Sequence, residues 1–205
     1  MRTLFFILFL MSLQVSGQNH LFQYNNNVFG DFGFSKKQIA KYKSQGTLSV
    51  FNKEKHNSNL ANRLFELREG GSITLKRATK KKLTVLKKMD VEHYRLNYIF
   101  LDGKQMPYED LDALRDRILK LSKTRKFENL AQRYSMDLNR NRGGDSGWFK
   151  SNSVPEQFKN ASLSSMRAAN EIFKVDLDQM KWYYLVLKSY SPKMIEEILV
   201  LETTK

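Results

Sequence analysis

The stretch Phe127–Phe149, FENLAQRYSMDLNRNRGGDSGWF, changes character halfway along. Phe127, Leu130, Ala131 and Tyr134 recur at i, i+3, i+4 and i+7, the spacing of one apolar helical face. The pattern then stops. A polar run holds a lone acid, Asp137, and leads into Gly143, Gly144, Asp145, Ser146 and Gly147 before two aromatics, Trp148 and Phe149. Glycines at this density predict a tight turn, because glycine takes up positive φ without steric cost. The unit to explain is therefore a short helix, an acid just beyond it, and a turn that delivers two aromatics to a core.

The flanking sequence supplies the rest of a small fold. Upstream, HYRLNYIFLDG alternates Tyr94, Leu96, Tyr98 and Phe100 against Arg95, Asn97, Ile99 and Leu101, which predicts a strand ended by Asp102-Gly103. Leu111, Leu114, Ile118 and Leu121 mark a helix, with Glu109 and Asp110 early and Lys120 and Lys123 late, as the helix dipole favours. Downstream come a short helix over Val154–Ala161, a strand at Ile172–Val175 and the strand WYYLVL at Trp182–Leu187. The order β-α-α-β-α-β-β predicts an α+β domain with a small antiparallel or mixed sheet surrounded by short helices.

The whole chain sets bounds. Its 205 residues are enough for one domain and a smaller unit, and 41% hydrophobic content can fill their cores. Residues 1–17 read as a secretory signal peptide: Arg2, then an apolar run from Leu4 to Leu13, then Val15-Ser16-Gly17 at the cleavage site. That run is short for a transmembrane span, so no stable membrane anchor is expected after cleavage. The chain has no cysteine, which excludes disulfides, thiolate zinc sites, a cysteine nucleophile and a lipid on cysteine. An exported, cysteine-free protein of this size fits a bacterial periplasm, with secretion the alternative. Residues 18–45 read as an irregular lead-in, 46–90 as a small basic α+β unit, 91–190 as the main domain and 191–205 as an extension.

The formal net charge of +14 raises the question of a nucleic-acid partner. The basic residues crowd into LKRATKKKLTVLKK, Leu75–Lys88, where Leu75, Leu83, Val85 and Leu86 look like one or two short strands with a lysine-rich solvated face. No aromatic interleaving, zinc spacing or helix-turn-helix pattern accompanies them. No nucleic-acid partner is expected; anionic partners such as lipid head groups, cell-surface polymers or acidic clients are the alternative reading.

From about Tyr94 to Lys188 the chain resembles the parvulin-type peptidyl-prolyl cis-trans isomerases (rotamases). The resemblance rests on FENLAQRYS, the acid at Asp137, the turn GGDSGWF, the short helix and the closing strand, and it covers about half of the chain after residue 17. It implies a parvulin-like fold and an isomerase that twists Xaa-Pro bonds without cofactor or metal. Its partners would be proline-containing unfolded or exported polypeptides, whose folding it assists. Asp137 falls where the family has its active-site cysteine or aspartate; read without the family, it is a helix-end acid. Phe158 falls on the aromatic of the proline pocket; read without the family, it is core. Val154 stands where the family commonly has a methionine of that pocket, and Ser146 where it usually has leucine. Trp148 joins them as a substrate-binding candidate.

Two departures bear on catalysis. The family's paired histidines, one in the first strand and one in the last, fall here on Tyr98 and Tyr184, whose hydroxyls can still donate and accept. His56 and His93 lie at no family position, and His93 reads as a strand-edge or surface residue. The resemblance thus implies Asp137, Tyr98 and Tyr184 as the catalytic set. The alternative is a catalytically weak parvulin-like chaperone that binds unfolded exported clients. Arg140, Arg142 and Lys150 near the acid suggest acidic clients.

Overall fold

The computed structural model describes Leu21 and residues 28–76 and 79–204. The signal-peptide reading of residues 1–17 lies outside the described residues. Helix α1 (Lys36–Gln45) opens on a capping box, in which Ser35 Oγ accepts from Gln38 N at 3.3 Å and Ser35 N donates to Gln38 Oε1 at 2.9 Å. There follow β1 (Thr47–Asn52), α2 (Asn59–Glu66), β2 (Ser72–Lys76), β3 (Lys80–Tyr94) and β4 (Asn97–Asp102). Helices α3 (Tyr108–Leu121) and α4 (Phe127–Tyr134) lead to β5 (Phe149–Lys150) and α5 (Glu156–Ser162). Strands β6 (Ile172–Leu177), β7 (Trp182–Leu187) and β8 (Lys193–Thr204) complete the chain.

These strands form two antiparallel sheets, one in the order β1-β8-β3-β2 with β5 paired to the end of β3, the other in the order β4-β7-β6. The second sheet is the parvulin-like one, and the fold is α+β. The basic stretch Leu75–Lys88 falls on two strands, the end of β2 and the start of β3, but the second is not short. From Lys80 it is a single 15-residue strand, bulged between Val85 and Lys87, and only Arg95 and Leu96 separate it from β4. Its lysines are largely countercharged: Lys81 pairs with Glu202 at 2.6 Å, Lys87 with Glu69 at 3.2 Å and Lys88 with Glu196 at 2.9 Å. The C-terminal strand β8 supplies two of those acids and lies between β1 and β3.

His93 is not a strand-edge or surface residue. It is 1% exposed, because β3 is flanked there by β8 and β5. Its Nδ1–H donates to Val91 O at 2.9 Å, and its Nε2 lies 3.1 Å from both Asn52 Nδ2 and Glu197 Oε1. Lys150 approaches Glu197 Oε2 at 3.4 Å and Asp31 at 2.8 Å. Burial pushes the Glu197 carboxyl up, but the hydrogen bonds from His93 and Asn52 and the Lys150 charge bring it down to about 2.

The parvulin-like sheet has two apolar faces, as the period-two alternation of its strands requires. Ile99, Leu101, Tyr183 and Leu185 pack on α3 and α4, against Leu111, Ile118, Phe127, Leu130 and Ala131. Tyr98, Phe100, Tyr184, Val186, Phe173, Val175 and Leu177 face the other way, towards Phe158, Val154 and Phe149. Arg115, fully buried, clasps α3 to β6 by pairing with Asp176 and, at 2.7 Å, with Asp112. That second face carries the candidate site.

Candidate active site

Helix α4 ends at Tyr134, and the next three residues are stitched to β4. Met136 N donates to Phe100 O at 2.8 Å, while Ser135 Oγ accepts from Phe100 N at 2.9 Å. The same Ser135 hydroxyl donates to Asp137 Oδ1 at 2.9 Å, and Tyr98 donates its hydroxyl to Asp137 Oδ2 at 2.8 Å. Both carboxylate oxygens are therefore held, one by the helix end and one by the strand beneath. Burial pushes the Asp137 carboxyl above the usual aspartate range, and the hydrogen bonds from Tyr98 and Ser135 oppose that rise. Burial, reinforced by the Asp137 charge, pushes the Tyr98 phenol up, so it remains a donor through the neutral range.

The glycine turn is stitched to the same strand. Tyr98 N donates to Gly144 O at 2.9 Å, and Ser146 N to Leu96 O at 2.9 Å. Gly144 has φ +77°, and a Cβ there would lie 2.4 Å from Tyr98 O, so the position admits glycine only. Asp145 is gripped by Arg95 at 2.9 and 2.6 Å and accepts from Gly147 N at 2.8 Å. The turn and the acid are thus two attachments to one strand, β4, with Tyr98 common to both.

Beside the acid lies an aromatic cluster. Phe158 meets Tyr184 edge-on at 5.2 Å between centroids, Tyr98 meets Tyr184 at 5.8 Å, and Phe100 lies 5.3 Å from Tyr184. Val154, just ahead of α5, closes the side nearest Phe158 in sequence, and Met136, Met180 and Trp182 are half-buried against the cluster. Among the described residues no group of three or more His, Asp or Glu side chains is placed to hold a metal ion. The arrangement sets a buried apolar cluster beside a fixed carboxylate.

Residues 73–186, more than half of the chain, match the family model of the PPIC-type PPIase domain. The chain belongs to the parvulin-type peptidyl-prolyl isomerase family. Two solved structures resemble parts of it. PrsA from Bacillus subtilis is 28% identical over 48% of this chain and 35% of that one, with a TM-score of 0.37. The peptidylprolyl isomerase PrsA from Bacillus anthracis is 22% identical over 50% of this chain and 43% of that one, with a TM-score of 0.38. The aligned part is thus less than half the length of either. No curated protein matches the chain.

Within the parvulin-type domain, Asp137, Tyr98, Tyr184, Phe158 and Val154 come together on one face of the sheet. Ser146 and Trp148 do not join them. The Ser146 hydroxyl is engaged within the turn, accepting from Leu96 N at 3.0 Å and donating to Gly147 O at 2.8 Å. With Trp148 it lines a separate cavity of about 350 Å³ that also meets His93, Lys150 and Glu197. Trp148 meets Tyr190 at a tilt, 6.1 Å between centroids, with Arg95 over its ring at 5.9 Å. Tyr98 and Tyr184 are in ring contact, and the Tyr98 hydroxyl points to Asp137. Sequence reasoning missed Ser135 and Phe100. Alternation along β4 places Phe100 on the face of Tyr98, a readable signal; nothing in the sequence distinguishes Ser135 from an ordinary residue after a helix.

Proposed function

We propose that this chain catalyses cis-trans isomerisation of Xaa-Pro bonds by non-covalent twisting, and that it assists the folding of exported polypeptides. The observation that carries the reading is the fixed Asp137 carboxylate beside the buried cluster of Phe158, Tyr184 and Val154. The reaction breaks no bond; it crosses an amide rotation barrier of about 18–20 kcal/mol. A catalyst need only bind the twisted amide more tightly than either planar form. Phe158 and Val154 would hold the proline ring. Exclusion of water disfavours the charge-separated planar amide. A carboxylate next to the carbonyl oxygen acts the same way, because that oxygen is most negative when the amide is planar. Tyr98 and Ser135 keep the carboxylate oriented for this role.

Export rests on the apolar, arginine-led pattern of residues 1–17, with the periplasm as the compartment. In keeping with it, no helix among the described residues is long and apolar enough to cross a membrane. Arg140 and Arg142, exposed on the turn after Asp137, favour acidic clients. The second reading, a chaperone with weak catalysis, is favoured by one feature: tyrosines replace both family histidines, and the Tyr98 hydroxyl is engaged by Asp137.

NMR exchange on short Xaa-Pro peptides separates the two, using the chain from Gln18 to Lys205. Acceleration that falls at least about tenfold in both Asp137→Ala and Phe158→Ala, with their folds intact, is the expected result. A folded protein that accelerates no peptide across varied Xaa residues leaves the chaperone reading in its place.

A further inference from the structure

The recess that the proposed function assigns to proline is closed to solvent. Tyr98 and Phe158 are 0% exposed, Tyr184 1% and Val154 4%. A surface that seats a substrate ring has to be open when a client binds, so the side chains that cover it have to move aside. One described residue stands out. Leu21, 2% exposed, belongs to the same buried cluster, while every other member lies between Tyr94 and Val186. Leu21 also precedes the family-matched span, residues 73–186. A domain builds its own core from its own elements; here one aliphatic side chain arrives from outside them. Its isobutyl group is close in size and polarity to a pyrrolidine ring, and the surrounding aromatics suit either one.

We propose that Leu21 occupies the proline pocket as an intramolecular ligand, which a client has to displace before it binds. The proposal rests on the isomerase-pocket reading of Phe158, Val154 and Tyr184. Because only the open fraction of molecules can take a client, apparent affinity is reduced by that fraction. Truncating the leucine removes the apolar area that it contributes to the cover. Affinity for a proline peptide should then rise while the twisting step itself is unchanged.

The test uses the chain from Gln18 to Lys205, which retains every described residue up to Thr204, with an Ala-Xaa-Pro-Phe peptide as probe. In the unsubstituted protein, nuclear Overhauser contacts are expected between the Leu21 methyls and the rings of Phe158 and Tyr184, fading as the peptide is added. Leu21→Ala should lower KM at least about fivefold with kcat unchanged. Leu21→Ile, which keeps the bulk, should stay close to the unsubstituted protein. Absence of the methyl-ring contacts overturns the proposal. So does a Leu21→Ala protein that loses stability and gains no affinity, for then Leu21 is ordinary core; catalysis by the unsubstituted protein would leave the isomerase reading standing. If no form catalyses, the isomerase reading falls instead. The peptide dissociation constant from the same titration then decides about Leu21: tighter binding by Leu21→Ala supports the proposal, and equal binding overturns it.

Discussion

Replacing Tyr98 with phenylalanine removes one oxygen atom and interrogates the geometry around Asp137. The ring keeps its place among Tyr184 and Phe100, so packing changes little. What is lost is the 2.8 Å hydrogen bond to Asp137 Oδ2, from a side chain with no solvent exposure. A hydrogen bond to an ionised group contributes about 1.5–3 kcal/mol and one to a neutral group about 0.5–1.5 kcal/mol. Tyr98→Phe should therefore cost about 2 kcal/mol while Asp137 is ionised and about 1 kcal/mol once it is protonated. The sign follows from burial, which raises the folded-state pKa of Asp137 above its unfolded value. The contribution of this group to stability is then greatest below the ordinary aspartate range and declines as pH rises to the folded pKa. Losing the Tyr98 donor raises that pKa further, so the decline in the variant is deeper and continues to higher pH. Urea denaturation of both proteins across the acid-to-neutral range measures the difference directly. The acid-sensitive Glu197 cluster affects both equally and cancels on subtraction. A stability difference that is constant with pH, or smaller at neutral pH than in acid, would refute the assignment of Tyr98 as donor to an ionised Asp137.

Two further substitutions probe what holds the site in place. Gly144→Ala should cost about 2–4 kcal/mol in a urea melt, because its Cβ would meet the Tyr98 carbonyl at 2.4 Å at a positive φ, and the hydrogen bond from Tyr98 N forbids a simple retreat. A near-neutral Gly144→Ala would mean that the turn is not stitched to β4 in this way. Glu197, held down to about 2, stabilises the fold fully above the ordinary glutamate range and progressively less as pH falls towards that value. Glu197→Gln should lose roughly 3 kcal/mol at neutral pH, with the gap to the unsubstituted protein closing in acid; parallel stability curves would contradict the buried His93-Asn52-Lys150 shell.

Much of the parvulin-type sheet could be read without coordinates, because its signals are local. The alternation from Tyr94 to Leu101 and the run WYYLVL each name a strand, and the helical face of FENLAQRY names a helix. The turn was readable for the same reason: Gly143, Gly144 and Gly147 each take positive φ, a property of the residue type. For the candidate site, the family resemblance singled out Asp137 and Phe158, which by pattern alone read as a helix-end acid and a core aromatic; Ser135 stayed unread, since it acts by bridging Phe100 N and Asp137 Oδ1.

What the sequence by itself determined, then, is the elements from Tyr94 to Leu187, the glycine turn and the acid after α4, all of them encoded over a few residues; helix α1 (Lys36–Gln45) lies where the sequence read as irregular. Only the tertiary structure decided the rest. It placed β8 between β1 and β3, ran the lysine-rich stretch from Lys80 on into one long strand, and buried His93 against Glu197. It separated Trp148 and Ser146 from the cluster around Phe158 and buried Leu21 in that cluster. Each of these joins residues far apart along the chain. Periodicity reports which face of an element is apolar; which partner covers that face depends on long-range packing and charge pairing.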